Sequence, residues 1–432
     1  MTGNYNHKNE NLIAFLEEGI IMNILLRLPT AVCIARFRCV CRSWRILLSD
    51  PQFIYKIIFF QNLSDLKTLR ILFTGAEEEA FADSHVIYYS LHSYDTLRPI
   101  SAGSNIVREM PSFPYKPRHS STMFSPRIIG CCDGIFCINE WVDNNMTDII
   151  LWNPETCEIK CLPVCLSLCP FPNGLEIAEE IIGFGFDPQT TDYKVVRSVR
   201  FVPYIETYND CGGIRTERSY KVNDPPFTYT EVYSLKNDSW KRVPDASEDI
   251  MFMKYIPQRD ASRNERCYWF LRNKPNCRIV SFDMSKEVFE VTKPEPSLPY
   301  PVSRDSWFTT ESCYMLKESF VATLAYKGRY DVPMEVWALL KYGIVESWTK
   351  LFTFQPPFKI SFYLEVWKEG THICSPQVNR MVSEDDYVID YDGVYIFNPT
   401  TQEIGDRLDM QGRTWPCEAH TYTPTLVTLS DR

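Results

Sequence analysis

Apolar residues recur at two different spacings, and the change of spacing divides the chain into two parts. From residue 16 they recur every three or four positions, which places apolar side chains on one face of a helix. One such stripe runs from Ile20 to Leu28 and ends at Pro29; a second runs from Cys33 to Leu48 and ends before Asp50-Pro51. The pattern predicts a polar extension at 1–15 and a small all-α domain at 16–60.

The remainder of the chain, 61–432, has short β-branched and aromatic runs separated by turn residues, which is typical of an all-β domain. One unit recurs: an aromatic residue, a turn residue directly after it, and an apolar residue seven positions on. We predict a hairpin at each copy, with the two apolar residues facing each other. The copies are Trp152–Ile159, Phe186–Tyr193, Tyr233–Trp240, Phe282–Phe289 and Phe397–Ile404, with a weak copy at Tyr89–Thr96 and a longer one at Trp337–Trp348.

The number of hairpins predicts how the β domain is built. With Phe186–Tyr193 taken as an inner hairpin of its unit, each unit spans about 60 residues, compared with about 50 in a kelch blade. We therefore expect a kelch-like propeller of about six irregular blades, closed by a strand at Thr423–Leu429 that pairs beside Leu69–Phe73. A β-sandwich is the alternative. The helical domain is either a cap on this body or a module that docks on a partner's helices.

Charge and cysteine content narrow the class of protein. The net charge is −10, with +3 in residues 1–60 and −13 in the rest, which argues against nucleic acid as a partner. The 16 cysteines are under 4% of a long chain, so we interpret them as free thiols, mostly buried. The start lacks a signal-peptide pattern and no apolar run approaches 18 residues, so we expect no membrane span and a cytoplasmic location, with the nucleus as a second compartment.

Motifs for catalysis are missing. None of the six histidines lies in an HExxH motif, and no G-x-S-x-G or Walker-type loop occurs. The Gly183-Phe184-Gly185 stretch lacks the third glycine of a dinucleotide site, so we interpret it as part of a strand.

Cysteines spaced four apart are the best zinc candidates, but Pro163 interrupts them, and we expect neither metal nor cofactor. They are Cys157, Cys161, Cys165 and Cys169. A metal-dependent enzyme on a kelch-like ring stays as an alternative.

Acidic clusters and aromatic loops are the candidates for partner binding. The clusters Glu77–Glu79, Glu179–Glu180 and Glu384–Asp386 are either solvated loops or sites that steer a basic partner. The longest irregular stretch is 203–227, and Tyr and Arg are favoured at binding hot spots; 166–178 and 295–306 are further loop candidates. The predicted substrate-contact residues are Tyr204, Tyr208, Arg215, Arg218, Tyr220, Glu384, Asp385 and Asp386.

The run LRLPTAVCIARFRCVCRSWRILLSDPQFI, Leu26 to Ile54, resembles a plant F-box. The resemblance implies that this domain binds the Skp-type adaptor of a cullin-based ubiquitin ligase. It also implies an adaptor-binding set, namely Leu16, Ile20, Ile24, Leu28, Pro29, Val40 and Trp44. The family's opening Leu-Pro is replaced by Leu16-Glu17, with Gly19 shortly after, and the loss of a proline in the first turn reduces pre-organisation of that helix.

The body resembles the plant F-box-associated domain at Cys132–Cys137, Leu151–Pro154, Gly183–Asp187, Glu231–Leu235 and Glu346–Leu351. Together with Tyr268–Phe270 and Ser281–Asp283 it is similar to the S-locus F-box group of flowering plants. The resemblance implies a non-catalytic substrate receptor of an SCF-type E3 ligase. For the S-locus group it implies S-ribonuclease as the target, in pollen self-incompatibility. The alternative is an interaction scaffold outside the ligase, with a degenerate F-box.

Overall fold

The computed structural model describes one residue of the helical domain, Arg42, which is helical and exposed, and much of the β domain. The other predictions for 1–60 lie outside the described residues. The described ranges of the β domain are 69–78, 85–98, 127–143, 146–154, 156–163, 175–207, 217–220, 227–245, 265–273, 276–291, 308–316, 319–326, 333–339, 348–355, 360–366, 371–376, 378–381, 387–390, 394–398, 400–408, 416–422, 427 and 429.

These residues form antiparallel sheets that we number along the chain. Sheet 1 contains β1 (Arg70–Glu78), β2 (His85–Ser93) and the last described strand, β25 (Pro416–Tyr422). Sheet 2 contains β3 (Arg127–Cys132), β4 (Ile135–Asp143), β5 (Met146–Asn153) and β6 (Glu158–Cys161). Sheet 3 contains β7 (Leu175–Asp187), β8 (Asp192–Thr207), β10 (Phe227–Ser234) and β11 (Ser239–Arg242), and β9 (Glu217–Tyr220) pairs with β8.

The second half of the β domain continues in the same way. Sheet 4 contains β12 (Arg266–Asn273), β13 (Asn276–Asp283) and β14 (Val288–Val291). Sheet 5 contains β15 (Phe308–Leu316), β16 (Ser319–Tyr326), β17 (Met334–Leu339) and β18 (Trp348–Phe354). Sheet 6 contains β19 (Ile360–Val366), β20 (His372–Pro376), β23 (Tyr395–Asn398) and β24 (Glu403–Arg407). A separate pair contains β21 (Val378–Met381) and β22 (Tyr387–Asp390).

The hydrophobic core lies between consecutive sheets. One cluster joins sheet 2 to sheet 3 and includes Cys137, Phe184 and Tyr233, and another joins sheet 3 to sheet 4 and includes Val232 and Trp269. Sheet 1 packs on sheet 2 through one face and on sheet 6 through the other. In a two-sheet sandwich each sheet would pack against a partner sheet on one face only. Sheets 1, 2 and 3 instead pack on neighbouring sheets through both faces, which contradicts the sandwich and fits a propeller. The count of about six blades stays a prediction.

The chain ends meet in sheet 1, but through a different strand from the one that the sequence predicts. β25 pairs with β1, from Arg70 opposite Tyr422 to Gly75 opposite Pro416, and β2 takes the other edge of β1. The prediction of Thr423–Leu429 as the closing strand was therefore wrong. Both edges of β1 are occupied, and Leu429 instead buries its side chain in the core between sheets 2 and 3.

The predicted hairpin register is confirmed at all five full copies of the repeat. The aromatic residue lies directly opposite the apolar residue seven positions later at Trp152–Ile159, Phe186–Tyr193, Tyr233–Trp240, Phe282–Phe289 and Phe397–Ile404. The weak copy was wrong, because Tyr89 faces Thr74 in β1. In the long copy the strands pair, but Trp348 lies opposite Leu339.

The turn geometry explains why seven residues recur. In each copy the fifth residue after the aromatic has a positive φ, and these residues are Cys157, Thr191, Asp238, Glu287 and Gln402. The residue directly after the aromatic caps the turn in three copies: the Oδ1 atoms of Asp187, Asp283 and Asn398 each accept two backbone N–H groups. The Asn or Asp of the repeat is therefore a turn cap, and the left-handed residue returns the chain to the next strand.

Candidate protein-binding surface

The predicted adaptor-binding residues lie outside the described residues. They are Leu16, Ile20, Ile24, Leu28, Pro29, Val40 and Trp44. Their assignment to the adaptor interface therefore stays a prediction that rests on the sequence.

The substrate candidates around residue 204 lie on a β-ribbon, which corrects the prediction of an irregular stretch at 203–227. The end of β8 pairs with β9, with Tyr204 opposite Tyr220 and Glu206 opposite Arg218. Paired residues share a face, and faces alternate along a strand. Tyr204, Glu206, Arg218 and Tyr220 therefore occupy one face of the ribbon. Tyr208 and Arg215, in the connection between the two strands, lie outside the described residues.

The sequence pattern held a signal for this ribbon. β8 is rich in β-branched and aromatic residues, which favour strands, although Pro203 within it is of a type that commonly ends a strand. A proline is tolerated where its missing N–H is not needed for pairing. Glu206 was not among the candidates, and its position opposite Arg218 is known only from the strand pairing.

The acidic candidates Glu384, Asp385 and Asp386 lie outside the described residues, between β21 and β22. The strands on either side of them form a second two-stranded ribbon, with Met381 opposite Tyr387 and Val378 opposite Asp390. The two sets of substrate candidates therefore belong to two different ribbons, one attached to sheet 3 and one to the chain between β20 and β23.

The acidic pair Glu179–Glu180 lies in strand β7 rather than in a loop. The side chain of Glu180 is only 4% exposed, and its Oε1 lies 2.7 Å from Arg197 Nε. A second guanidinium nitrogen of Arg197 lies 3.5 Å from Glu231 Oε1. Asn139 of sheet 2 donates a hydrogen bond to the other carboxylate oxygen of Glu180. The hypothesis that Glu180 steers a partner was wrong, because its charge is used inside the core between sheets 2 and 3.

A buried ion network joins the turns of sheets 3 and 4. The Nζ of Lys194 donates to Asp187 Oδ2 at 2.6 Å, to Glu287 Oε1 at 2.9 Å and to the Met284 carbonyl at 3.0 Å. Burial alone would raise the pKa of Asp187, but hydrogen bonds from Lys194, Ser285, Thr190 and the Gln189 N–H hold it well below its usual range. The network fixes adjacent sheets rather than exposing a reactive group.

The candidate zinc cysteines are only partly described. Cys157 is the left-handed residue of a hairpin turn and Cys161 ends β6, and both are exposed free thiols; Cys165 and Cys169 lie outside the described residues. Where the chain is described, no three His, Cys, Asp or Glu side chains come together as a metal-binding group, and no helix is long and apolar enough to cross a membrane.

The buried titratable groups pack in the core. The thiols of Cys131, Cys132, Cys137, Cys267 and Cys374 are buried and free, as the composition predicted. Burial raises the pKa of Cys267 to about 12, although its Sγ also donates to the Phe184 carbonyl. Burial lowers the pKa of His372 to about 4, and its ring stacks on Phe354. Cys267 is therefore a protonated thiol and His372 a neutral imidazole near neutral pH.

Comparison with known families assigns both parts of the chain. The F-box domain profile matches residues 16–56. The profile described as "F-box associated beta propeller domain" matches residues 85–429, which is well over half of the chain. Together the two matches span the helical part and nearly all of the β part.

Individual relatives align with most of the chain. The chain is 26% identical to "F-box protein CPR1" of Arabidopsis thaliana over 363 residues, covering 81% of this chain and 76% of that protein. It is 26% identical to "F-box protein At3g07870" of Arabidopsis thaliana over 340 residues, covering 78% and 71%. Among solved structures, TolB from Acinetobacter baumannii covers 89% of this chain and 72% of its own, with a TM-score of 0.39 and 7% identity.

Proposed function

Since this chain belongs to the plant F-box proteins that carry an F-box-associated β-propeller domain, we propose that it is the substrate-recognition subunit of an SCF-type E3 ubiquitin ligase. The observation that carries the proposal is the presence of both domains in one chain. An F-box implies binding of a Skp-type adaptor, which connects the subunit to a cullin. The β domain then holds the target protein.

The mechanism is proximity. The receptor converts a bimolecular encounter between the target and the ubiquitin-carrying enzyme into a local one, so it raises the effective concentration of the target at the ligase. F-box proteins are generally receptors rather than enzymes, so the subunit needs no catalytic residue of its own. Its working location in this proposal is the cytoplasm, with the nucleus as a second compartment.

The target in this proposal is a basic protein. Residues 61–432 carry a net charge of −13, which favours association with a basic partner. The resemblance to the S-locus group around Tyr268–Phe270 and Ser281–Asp283 supports S-ribonuclease as that partner in pollen self-incompatibility. The predicted contact residues are those of the first ribbon and the acidic stretch Glu384–Asp386.

Adaptor binding tests the proposal directly. We expect the full chain to bind a purified Skp-type adaptor, and Ile24→Asp and Val40→Asp variants to lose that binding because a charge enters the apolar docking face. The control is Glu403→Lys on exposed strand β24, which should bind as the native chain does. If the native chain does not bind the adaptor, Glu17 and Gly19 have disabled the F-box, and the chain is an interaction scaffold outside the ligase.

A further inference from the structure

Strand β24 differs in exposure from the comparable strands of the other sheets. Within the described fold, β6, β11, β14, β18 and β24 end sheets 2 to 6 and pair along one side only, and we call them outer strands. All five residues of β24 are exposed, whereas each of the other outer strands has residues that are at least partly buried. The unpaired side of β24 is therefore the most open strand edge among these sheets.

The exposure of Ile404 in β24 departs from the pattern of the seven-residue repeat. Its counterparts in the outer strands of sheets 2, 3 and 4 all pack against a core cluster, and they are Ile159, Trp240 and Phe289. Ile404 lies opposite Phe397, which is buried against Phe354 of sheet 5. Ile404 itself is 45% exposed, and in the described part of the chain no other large hydrophobic side chain is as open.

The acidic side chains of β24 have no partners, although charged side chains of other outer strands do. Ion pairs join β6, β11 and β14 to neighbouring elements, and these are Lys160–Asp238, Lys241–Glu287 and Glu290–Arg266. In β24, the side chains of Glu403 and Asp406 are exposed and form no ion pair or hydrogen bond with the described residues. Two carboxylates of this strand are therefore available to a partner.

The apolar and the acidic side chains of β24 lie on opposite faces of the strand. Ile404 is on the face turned toward sheet 5, and Glu403, one residue earlier, is on the other face. The pairing with β23 resumes at Arg407 opposite Tyr395, so β24 holds one additional residue between these pairs, which is a β-bulge. Because Arg407 shares the face of Ile404, Asp406 returns to the face of Glu403.

An edge with these properties fits an extended peptide in which apolar and basic residues alternate. Such a peptide can add a strand beside β24 and bond to the outward N–H and C=O groups of its backbone. Alternate side chains of a strand point to opposite faces, so the apolar ones meet Ile404 while the basic ones meet Glu403 and Asp406. The bulge shortens the stretch that can pair, so side-chain contacts supply much of the affinity.

The charge of β24 disfavours a second copy of this chain as the occupant. Edge-to-edge pairing about a two-fold axis would bring the unpaired carboxylates of both copies together, and like charges on paired strands are destabilising. A basic strand meets no such repulsion. Residues 61–432 carry a net charge of −13, which also favours a basic segment over an acidic one.

We propose that β24 is a docking edge for an extended segment of a partner protein, in which apolar and basic residues alternate. An apolar side chain of the segment covers Ile404, and its basic side chains pair with Glu403 and Asp406. The inference goes beyond the proposed function, because this edge belongs to the β domain and not to the helical domain that binds the adaptor. It holds whether or not the chain is part of a ligase.

Fluorescence anisotropy of the full chain tests the proposal with a labelled peptide of about nine residues, in which lysine and valine alternate. We expect saturable binding that Ile404→Ser and Asp406→Lys each weaken about fivefold or more, with a smaller effect of Asp406→Lys at high salt. Both side chains are exposed, so neither variant should unfold the chain. The matched control is Glu265→Lys, at an exposed carboxylate directly before β12, which should change the Kd less than about twofold. No binding of the peptide, or equal weakening by the control, overturns the proposal.

N-methylated peptides test whether the segment pairs as a strand. Alternate N–H groups of a strand point to the same side, so methylation of the valine nitrogens or of the lysine nitrogens removes all donors from one side only. We expect one of the two methylated peptides to lose binding and the other to keep it. Hydrogen exchange of the full chain should slow in β24 when the unmodified peptide binds, and stay unchanged in β11. Equal binding of both methylated peptides, or protection outside sheet 6, overturns strand addition at this edge.

Two further measurements separate this occupant from the alternatives. A peptide with glutamate in place of lysine should not bind, because its charges would face Glu403 and Asp406; equal binding would overturn the charge complementarity. Sedimentation equilibrium of the full chain should show a monomer. A dimer that Ile404→Ser dissociates would assign the edge to a second copy of this chain and overturn the proposal.

Discussion

Single residues in β7 show how the sheets achieve close packing. Phe184 points toward sheet 2, and Gly183 and Gly185 lie against sheet 4. A Cβ atom at Gly183 would lie 2.7 Å from Trp269 Cζ2 and 3.0 Å from Cys267 Cβ. The Gly-Phe-Gly stretch is therefore part of a strand, as predicted, and its first glycine makes room for a tryptophan from the adjacent sheet.

Gly183→Ala should destabilise the folded chain by about 1–3 kcal/mol, because the added methyl group overpacks the contact with Trp269. The midpoint of urea unfolding of the full chain measures this. Gly130→Ala is the matched control, since a Cβ atom there meets nothing within 4 Å, and we expect it to change stability by less than about 0.5 kcal/mol. Equal shifts for the two variants would show that the contact with Trp269 is unimportant.

At the scale of elements, hairpin turns connect adjacent sheets as well as reversing the chain. Asp187 caps its own turn, and with Lys194 it contacts the turn between β13 and β14 through Glu287, Ser285 and the Met284 carbonyl. The side chains of Lys194 and Asp187 are 7% and 1% exposed. Because removal of one partner leaves buried charges unpaired, the network is strongly coupled.

Lys194→Met should destabilise the folded state by about 3–5 kcal/mol, because Asp187 and Glu287 lose their buried cation. Urea unfolding measures the loss. The control is Lys236→Met on the neighbouring turn, where the lysine is exposed and contacts the Thr190 carbonyl; we expect a change of less than about 0.5 kcal/mol. A small effect at Lys194 would mean that the two turns are held together without the lysine, by the Ser285–Asp187 hydrogen bond and by apolar packing.

Acid should remove the contribution of Asp187. The folded state holds the pKa of this carboxyl below its ordinary value of 3.8, so its ionised form stabilises the fold above about pH 4, and the stabilisation is lost as the pH falls below that value. We expect the difference in unfolding free energy between the native chain and Asp187→Asn to be largest near neutral pH and to shrink at about pH 3. A difference that is independent of pH would contradict this assignment.

At the scale of the whole molecule, the two ends of the β domain depend on each other. β25 completes sheet 1 beside β1. Beyond it the tail returns to sheet 2, where the Val427 carbonyl accepts from Asn153 Nδ2 and the Leu429 N–H donates to Glu158. The last part of the chain therefore closes the ring at sheet 1 and fills the core between sheets 2 and 3.

A chain that ends at residue 415 should lose its cooperative unfolding transition, because β1 is left with an unpaired edge and the core between sheets 2 and 3 loses Leu429. Near-ultraviolet circular dichroism and urea unfolding measure this. The control chain ends at Leu429 and lacks only three residues, and it should unfold as the full chain does. If the chain ending at 415 unfolds with an unchanged midpoint, β25 does not close the domain.

The sequence by itself determined the local features of this protein. The seven-residue unit predicted five hairpin registers, since turn chemistry and facing apolar residues act over short distances along the chain. The buried thiols followed from composition. The F-box motif is a contiguous run, so the amino-acid sequence alone is enough to recognise the family.

The tertiary structure decided everything that depends on which distant segments meet. It made β25, rather than Thr423–Leu429, the partner of β1, and it buried Glu180 against Arg197 in the core between two sheets. It also aligned Tyr204 with Tyr220 on one ribbon. Charge and hydrophobicity along a chain do not reveal which strand edges are free, because that depends on the pairing of strands hundreds of residues apart.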